Sequence, residues 1–362
     1  MLIEPRELYP TGGGAQPVSV LDVRSPVEVA RGSLPGAESM PLLSDDERHR
    51  VGLRYKEAGQ DAAVALGYEI TATTLPQRVQ AWREVAACGP TAVTCWRGGL
   101  RSKLTVEFIG DPNVAQVNGG YKAVRAHLVH EMQQVLNRRN LVVLAGLSGA
   151  GKTRLLRALR TPAVQVIDLE SEARHRGSSF GATAEAQPSQ QTFENAVAAA
   201  IVLGTAPVVV VEDESRYVGR RTLPAALLGA MSQAPLVVLE VPLAERIDNL
   251  YQEYVRAPAE AHSVERIVQE LETNTLRLRK RLGGGRTKRI VAALHANRQH
   301  WFDPAAHYGW LGDLLGYYDR LYSQARNRQA RPVAFSGDAA AVSAWLADGA
   351  VGPTAGRLGS RP

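Results

Sequence analysis

The sequence predicts an α/β protein of two successive modules, the second with a mainly parallel sheet and a helical C-terminal region. Two observations predict this fold class. Short apolar strands alternate with helical patterns, and a glycine-rich loop at Gly146–Thr153 lies between a strand and a helix. The 362 residues suffice for two domains of ordinary size. We expect domains at residues 1–130 and 131–330, followed by a divergent, partly disordered tail at 331–362.

The predicted elements follow from apolar periodicity and from the residues that end helices. In the first module they are strands at Val18–Asp22, Thr91–Thr94 and Asn113–Val117, with a helix at 76–87 ended by Gly89-Pro90. A connecting helix is predicted at Tyr121–Arg139. In the second module they are strands at Leu141–Ala145, Val164–Ile167, Val208–Val211 and Leu236–Val241, a helix at Lys152–Leu159, and an Arg-rich helical region at 244–324.

The composition is that of a soluble globular protein, with 45% hydrophobic and 22% charged residues. No apolar run approaches the ~18 residues that cross a bilayer, and the first residues do not resemble a secretory signal. Two cysteines, Cys88 and Cys95, are too few for a disulfide framework. We therefore expect a cytoplasmic protein with no membrane partner. The net charge of +6 permits a polyanionic partner.

The segment Cys95–Ser102 leaves a strand, passes two glycines and enters a helix. Such a loop presents backbone N–H groups and a helix N-terminus to the sulfur, and Arg97 and Arg101 add positive charge. These features favour the thiolate, which is the nucleophilic form. The pattern therefore indicates a catalytic Cys95 rather than a buried structural one, whereas Cys88 has no such loop.

The loop Gly146–Thr153 matches the phosphate-binding pattern G-x-x-x-x-G-K-[ST] at every fixed position. Backbone N–H groups of such a loop converge on phosphate oxygens, a lysine supplies charge, and a hydroxyl can hold Mg²⁺. The predicted phosphate-binding residues are Gly146, Ser148, Gly149, Gly151, Lys152 and Thr153. Carboxylates at strand ends could support hydrated Mg²⁺ or simply be solvated; these are Asp168, Glu212 and Asp213. No direct protein metal site is expected.

The segments Asp22–Glu28, Gly32–Ala37 and Pro41-Leu42 resemble the N-terminal signature of rhodanese domains. This resemblance implies an N-terminal rhodanese-like domain that carries sulfur or selenium on the loop cysteine. Five residues separate Cys95 from Arg101, where common sulfurtransferases have four. Five is also the spacing of cysteine phosphatases. A cysteine phosphatase fused to a nucleotide kinase-like domain therefore stays open as an alternative.

A rhodanese-like module followed by a P-loop module resembles the bacterial tRNA 2-selenouridine synthases. The matching stretches are Leu43–Gly52, Cys95–Ser102, Val117–Lys122, Gly146–Thr153, Asp168–Glu170, His175–Gly181, Gln187–Gln190, Phe193–Asn195 and Val211–Arg216. The resemblance ends near residue 320, because the family tends to continue with Pro-Met-Tyr where this chain has Arg320-Leu-Tyr322. We predict no function for that end.

The resemblance implies a selenophosphate-dependent enzyme that replaces sulfur by selenium in the wobble 2-thiouridine of tRNA. It implies S-geranyl-2-thiouridine, made from geranyl diphosphate, as the intermediate. Cys95 would carry selenium, with Arg97 and Arg101 holding the incoming anion. The P-loop would then recognise a prenyl diphosphate rather than hydrolyse ATP. The implied partners are the anticodon stem-loop of tRNA and a selenophosphate-supplying enzyme, and no covalently bound cofactor is expected.

Seven basic residues lie within thirteen positions around a run of glycines. They are Arg277, Arg279, Lys280, Arg281, Arg286, Lys288 and Arg289. Such a run suits phosphate contacts in RNA, although a solvated helix face has the same pattern. Two further alternatives stay open: a nucleotide-switched RNA-binding scaffold, which would tolerate Cys95→Ser, and an enzyme that geranylates tRNA but seldom selenates it.

Overall fold

The computed structural model describes residues 1–13, 18–159, 161–176, 185–329 and 331–348. The elements of residues 1–138 are β1 (Leu2–Ile3), α1 (Pro5–Leu8), β2 (Ser19–Asp22), α2 (Pro26–Arg31), β3 (Ala37–Ser39), α3 (Asp45–Thr71), α4 (Leu75–Ala86), β4 (Thr91–Thr94), α5 (Leu100–Ile109), β5 (Val114–Val117) and α6 (Gly120–Arg138). Each predicted strand and helix of this part is confirmed to within about two residues.

The next elements alternate strand and helix. They are β6 (Asn140–Ala145), α7 (Lys152–Ala158), β7 (Val164–Ile167), α8 (Leu169–Ala173), α9 (Gln190–Leu203), β8 (Val208–Glu212), β9 (Tyr217–Val218), β10 (Arg221–Thr222), α10 (Ala225–Gln233) and β11 (Leu236–Leu239). A helical region follows, as predicted. It comprises α11 (Leu243–Tyr251), a π-helical turn (Gln252–Arg256), α12 (Ala257–Ala259), α13 (Val264–Arg277), α14 (Arg279–Leu282), α15 (Gly284–Ala296), a 3₁₀ turn (Asn297–His300) and α16 (Pro304–Gln329). Two more elements, β12 (Val333–Gly337) and α17 (Ala339–Ala347), come last.

The chain divides into two compact units, of which the first comprises residues 1–138 and 188–205. Its sheet has the strand order β1-β5-β4-β2-β3, and all neighbouring strands are parallel. Helices connect most of these strands, as parallel pairing requires. The carboxyl end of the central strand β4 leads directly into the Cys95 loop, so the sheet positions the cysteine at its edge.

The second unit comprises residues 139–187 and 206–362. Its main sheet has the order β12-β11-β6-β8-β7 and is parallel throughout. Strand β6 at its centre is buried from Leu141 to Ala145 and ends at the P-loop. The helical region has its own core, which includes Tyr251, Leu271, Trp301 and Trp310. The α/β architecture with parallel sheets and a helical region is therefore confirmed.

The boundary between units differs from the predicted one at residue 130, because α6 belongs wholly to the first unit and α9 joins it. Arg125 on α6 donates to Asn195 Oδ1 on α9 at 2.6 Å and also pairs with Glu194. Asn195 Nδ2 donates to the Ser33 carbonyl at 2.7 Å. These polar contacts attach α9 to elements far away in sequence, which local periodicity cannot reveal.

The predicted tail at 331–362 contains regular structure in its described part. Strand β12 pairs with β11, and α17 buries Val342 and Leu346 in the core of the second sheet. The expectation of a divergent tail did not anticipate this strand and helix. The final stretch 349–362, predicted to be disordered, lies outside the described residues, as does 177–181 of the matching stretch His175–Gly181. Among the described helices, none has the length and apolar character needed to cross a bilayer.

Candidate functional site

Cys95 follows β4 directly, and its side chain is buried, with 3% of its surface exposed. The backbone N–H of Gly99 donates to Cys95 Sγ at 3.3 Å. Ser102 Oγ, on the first turn of α5, lies 3.2 Å from the same sulfur. The Ser102 hydroxyl donates to the Gly99 carbonyl at 3.0 Å, and α5 begins beside the sulfur with its positive end.

Residues outside the Cys95 loop donate hydrogen bonds to its carbonyl groups. Tyr121 N–H donates to the Cys95 carbonyl at 2.8 Å, and Lys122 N–H donates to the Trp96 carbonyl at 3.1 Å. Gln116 Nε2 donates to the Gly98 carbonyl at 2.7 Å. Three carbonyls of the loop are therefore occupied by donors outside it, which fixes the loop against β5 and the start of α6.

Two glycines make this close packing possible. Gly98 has a φ of +63°, and a Cβ there would lie 2.6 Å from the Val117 carbonyl oxygen. Gly120 has a φ of +60°, and a Cβ there would lie 2.3 Å from the Cys95 carbonyl oxygen. Any side chain at either position would both strain the backbone and push the loop away from α6.

Arg101 is held in place by a bidentate ion pair with Glu28, at 2.5 and 3.0 Å. Burial alone would raise the pKa of Glu28, but Arg101 and the Ser25 N–H lower it to about 2. Burial opposes the charge of Arg101, yet Glu28 and the nearby Cys95 and Asp22 raise its pKa. Glu28 therefore keeps a charged guanidinium close to the cysteine.

Arg97, the other predicted basic residue, is exposed on the loop. Its neighbour Trp96 stacks on Tyr121, with ring centroids 5.5 Å apart, and remains 37% exposed. The buried Arg24 lies 3.8 Å from the Tyr121 ring centroid and pairs with Asp22 at 2.6 Å. Sequence reasoning did not assign these supporting residues, although Asp22 and Arg24 stand in the rhodanese-like signature.

The P-loop lies between β6 and α7, as its sequence context predicts. Lys152 Nζ donates to the Gly146 carbonyl at 3.0 Å, and Thr153 Oγ1 donates to Glu170 Oε2 at 3.2 Å. Gly149 and Gly151 both have a φ of +76°, which glycine adopts without strain. Of the six predicted phosphate-binding residues, four thus lie in the loop and the other two, Lys152 and Thr153, begin α7.

Side chains of α11 and α16 support this loop. Arg246 Nε donates to the Ser148 carbonyl at 2.8 Å, and Asn249 Nδ2 donates to the Gly149 carbonyl at 2.8 Å. Arg246 is buried and forms a bidentate pair with Asp319 at 2.6 and 3.1 Å. Tyr322 Oη accepts from the Gly146 N–H at 3.1 Å. The end for which no function was predicted therefore contacts the P-loop.

Three carboxylates gather beside Lys152 and Thr153. One oxygen from each of Glu170, Glu212 and Glu214 lies within 4.8 Å of the others. Glu212 is 1% exposed, and among the described residues its Oε1 has no hydrogen-bond partner. A buried, unpaired carboxylate oxygen within such a group fits a divalent cation with oxygen ligands. Of these three, sequence reasoning found only Glu212, although Glu170 and Glu214 stand in the matching stretches.

The other two predicted carboxylates make different contacts. Asp168 accepts from the Ser171 N–H at 2.8 Å, which caps α8, and pairs with Arg157 at 2.9 Å. Asp213 pairs with Arg331 and accepts from Tyr322 Oη at 3.2 Å. Asp168 and Asp213 therefore lie outside the group formed by Glu170, Glu212 and Glu214, and their role in Mg²⁺ support stays a prediction.

The basic segment covers the end of α13, α14 and the start of α15. Arg286 and Arg289 both pair with Asp313, at 3.6 and 2.8 Å. Arg277 donates to Asn274 Oδ1 at 3.3 Å. The remaining basic side chains are exposed and make no ion pair within the described ranges; they are Arg279, Lys280, Arg281 and Lys288. Of the seven predicted residues, these four are therefore the most accessible for contacts with RNA phosphates.

Comparison with known proteins gives consistent matches. Residues 139–351 match the family model described as the tRNA 2-selenouridine synthase AAA domain. The tRNA 2-selenouridine synthase of Hahella chejuensis is 41% identical over 350 residues, which cover 91% of this chain and 90% of that protein. Those of Cupriavidus necator and Shewanella loihica are 39% and 38% identical over 348 residues, covering 91% and 90% of this chain and 94% and 92% of theirs. The chain belongs to the tRNA 2-selenouridine synthase family.

Proposed function

We propose that this protein is a tRNA-modifying enzyme that replaces sulfur by selenium in wobble 2-thiouridine, with S-geranyl-2-thiouridine as the intermediate. Family membership supports the tRNA reaction. The observation that supports the two-step proposal is that one chain holds two separate glycine-containing loops, at Cys95 and at Gly146–Thr153, each followed by a helix. We further propose that the first unit is a rhodanese-like domain, since the central strand of its parallel sheet ends at Cys95.

In the first step the thiocarbonyl sulfur of the base attacks C1 of geranyl diphosphate, the C1–O bond breaks, and the N3 proton of the base is released to solvent. The negative charge that develops on the diphosphate is what a P-loop stabilises, through its N–H groups and Lys152. Mg²⁺ would be held by Thr153 and the carboxylates Glu170, Glu212 and Glu214, and would neutralise further charge. Alkylation turns the sulfur into a better leaving group.

In the second step selenium forms a bond to C2 of the base, and the C2–S bond breaks with its electron pair on sulfur. The sulfur takes a proton and departs as geranylthiol. When selenophosphate attacks directly, hydrolysis of the Se–P bond completes the balance and releases phosphate. In a carrier route, a disulfide oxidant takes up the two electrons lost when Cys95 becomes a perselenide, and a thiol returns two electrons when it cleaves the S–Se bond of the C2 adduct. In both routes the nest around Cys95 and Arg101 would hold the selenium anion.

Reconstitution tests this proposal. Purified protein, 2-thiouridine tRNA, geranyl diphosphate, selenophosphate and Mg²⁺ are expected to yield selenouridine tRNA, with the geranylated base rising and falling in time, as measured by mass analysis of nucleosides. ATP is expected to be dispensable. An obligatory ATP hydrolysis step, or selenation without the geranylated base, would contradict the two-step route. Cys95-dependent release of phosphate from aryl phosphates would instead favour the phosphatase alternative.

Binding of Mg²⁺ is expected to strengthen as the pH rises. Burial and the neighbouring carboxylates raise the pKa of Glu170 to about 8 and that of Glu214 to about 7, and burial raises the pKa of Glu212. Above the ordinary glutamate pKa of 4.5 the folded protein therefore binds more protons than the unfolded chain, and its metal-free stability falls as the pH rises toward these values. Mg²⁺ should raise the thermal unfolding midpoint more at about pH 8.5 than at about pH 6.

The matched pair for this experiment is Glu214→Gln and Glu260→Gln. Glu260 is exposed and distant in sequence from the carboxylate group. Glu214→Gln should flatten the pH dependence and reduce the Mg²⁺ effect, because one of the interacting charges is gone, whereas Glu260→Gln should match the unchanged protein. An equal Mg²⁺ effect at both pH values would exclude these carboxylates as ligands.

Neutralising Arg279, Lys280 and Arg281 together by alanine is expected to weaken tRNA binding roughly tenfold at ~0.1 M salt. The slope of log Kd against log salt should fall by about 2 to 3, since each basic side chain that binds a phosphate adds about one unit to that slope. Binding titrations across salt concentrations measure both quantities.

The control removes the same charge from α3 through Arg50→Ala, Arg54→Ala and Lys56→Ala, which are all exposed. If both variants bind tRNA alike, the effect is one of net charge, and the segment from Arg277 to Arg289 is not the tRNA site.

A further inference from the structure

The first unit contains an apolar cavity of about 210 Å³ between the long helix α3 and the start of α5. Its wall is almost entirely hydrocarbon and includes Leu42, Val64, Leu104 and Phe108, and Arg101 is the charged residue that lines it. The cavity opens to the surface past Tyr55, Tyr68 and Leu100, which are 57%, 44% and 38% exposed. Exposed apolar side chains around an apolar opening are typical of a ligand site.

This cavity adjoins the Cys95 loop. Leu100 and Arg101 belong to both, because they are the first residues of α5 after the loop. Leu42 and Leu43 line the cavity and lie in the same packed cluster as Cys95. A ligand whose polar end is at the cysteine could therefore place an apolar end in the cavity.

The volume of the cavity limits the size of the apolar group that it can hold. An engineered apolar cavity of about 150 Å³ binds benzene, a six-carbon ring, so by the same ratio about 210 Å³ accommodates roughly eight carbons of a longer chain. Arg101 lines the cavity and is kept charged by its ion pair with Glu28. The site thus combines a hydrocarbon wall with one cationic side chain.

We propose that this cavity binds the geranyl chain of the S-geranyl base during the selenation step. The inference rests on the proposed function and adds to it the location of the leaving group. As selenium bonds to C2, the C2–S bond breaks, its electron pair stays on the sulfur, and geranylthiol forms after protonation. The cavity holds the ten-carbon chain, and Arg101 faces the developing negative charge on sulfur.

Val64→Trp fills the cavity from α3 and tests the proposal in the full-length protein. With a synthetic anticodon stem-loop carrying S-geranyl-2-thiouridine, and selenophosphate in excess, it should lower kcat/KM for selenation by about tenfold or more, because the buried chain is deprived of its apolar surroundings. A substrate carrying the shorter dimethylallyl group should be affected much less. An equal loss of kcat/KM on both substrates by a variant that keeps the thermal unfolding midpoint of the unchanged protein would overturn the proposal.

Leu53→Trp is the matched control, since Leu53 is 45% exposed in the part of α3 before the break at Gly59 and does not line the cavity. It should behave as the unchanged protein does. If Val64→Trp and Leu53→Trp show the same ratio of kcat/KM on the geranyl substrate to kcat/KM on the dimethylallyl substrate, the chain is bound elsewhere and the inference fails. If the unchanged protein releases no geranylthiol from the geranylated RNA, the proposed function itself fails, which is a separate outcome.

Discussion

Cys95→Ser should lower the rate of selenation by about 10³-fold or more, the size of effect seen when a catalytic nucleophile is removed. The geranylated base should accumulate, because the first step uses the P-loop in the other unit. Serine is close in size to cysteine but is not ionised near neutral pH and cannot carry selenium. Single-turnover assays of each step, started from thiolated or geranylated RNA, measure the two rates separately.

Cys88→Ser is the control for the same chemical change. Cys88 is exposed and lies near the end of α4, with its Sγ 3.5 Å from the Glu84 carbonyl oxygen. We expect both steps to keep their rates in this variant. Full selenation by Cys95→Ser would contradict a role for Cys95 in selenium transfer.

Lys152→Ala should reduce geranylation of 2-thiouridine tRNA by about 10²–10³-fold, the loss typical of removing a group that stabilises developing charge. Lys152 lies at the start of α7, and its Nζ is 3.0 Å from the Gly146 carbonyl oxygen. A departing diphosphate would need that ammonium group. Selenation of RNA that already carries the geranyl group should proceed at the normal rate, because that step releases no diphosphate.

Two further variants test whether the loss is specific to the Lys152 ammonium group. Lys56→Ala removes an exposed lysine from α3 and should change neither step. Lys152→Arg keeps the charge but changes its shape, so it should retain more activity than Lys152→Ala. Equal loss in both steps from Lys152→Ala would indicate that the P-loop serves the whole cycle, as an ATP-driven conformational change would require.

Much of the candidate site could be predicted locally. The Cys95 loop and the P-loop are contiguous segments, and each glycine, lysine or arginine acts within a few residues of its neighbours. The supporting residues were missed because their partners are distant in sequence. Glu28 holds Arg101 across 73 positions, and Asp319 holds Arg246 across the same number. No periodicity or motif within one segment carries such a pairing.

The sequence by itself determined the α/β class, the parallel strands and the positions of the Cys95 loop and the P-loop, because these depend on local periodicity and on backbone conformations that particular residues favour. Only the tertiary structure decided which carboxylates meet. Glu170 and Glu214 join Glu212 because α8 and the end of β8 come together beside the P-loop, while Asp168 and Asp213 form ion pairs with arginines. It also decided that α9 packs on α6 and that α3 and α5 leave a cavity beside Cys95, since both follow from contacts between distant segments.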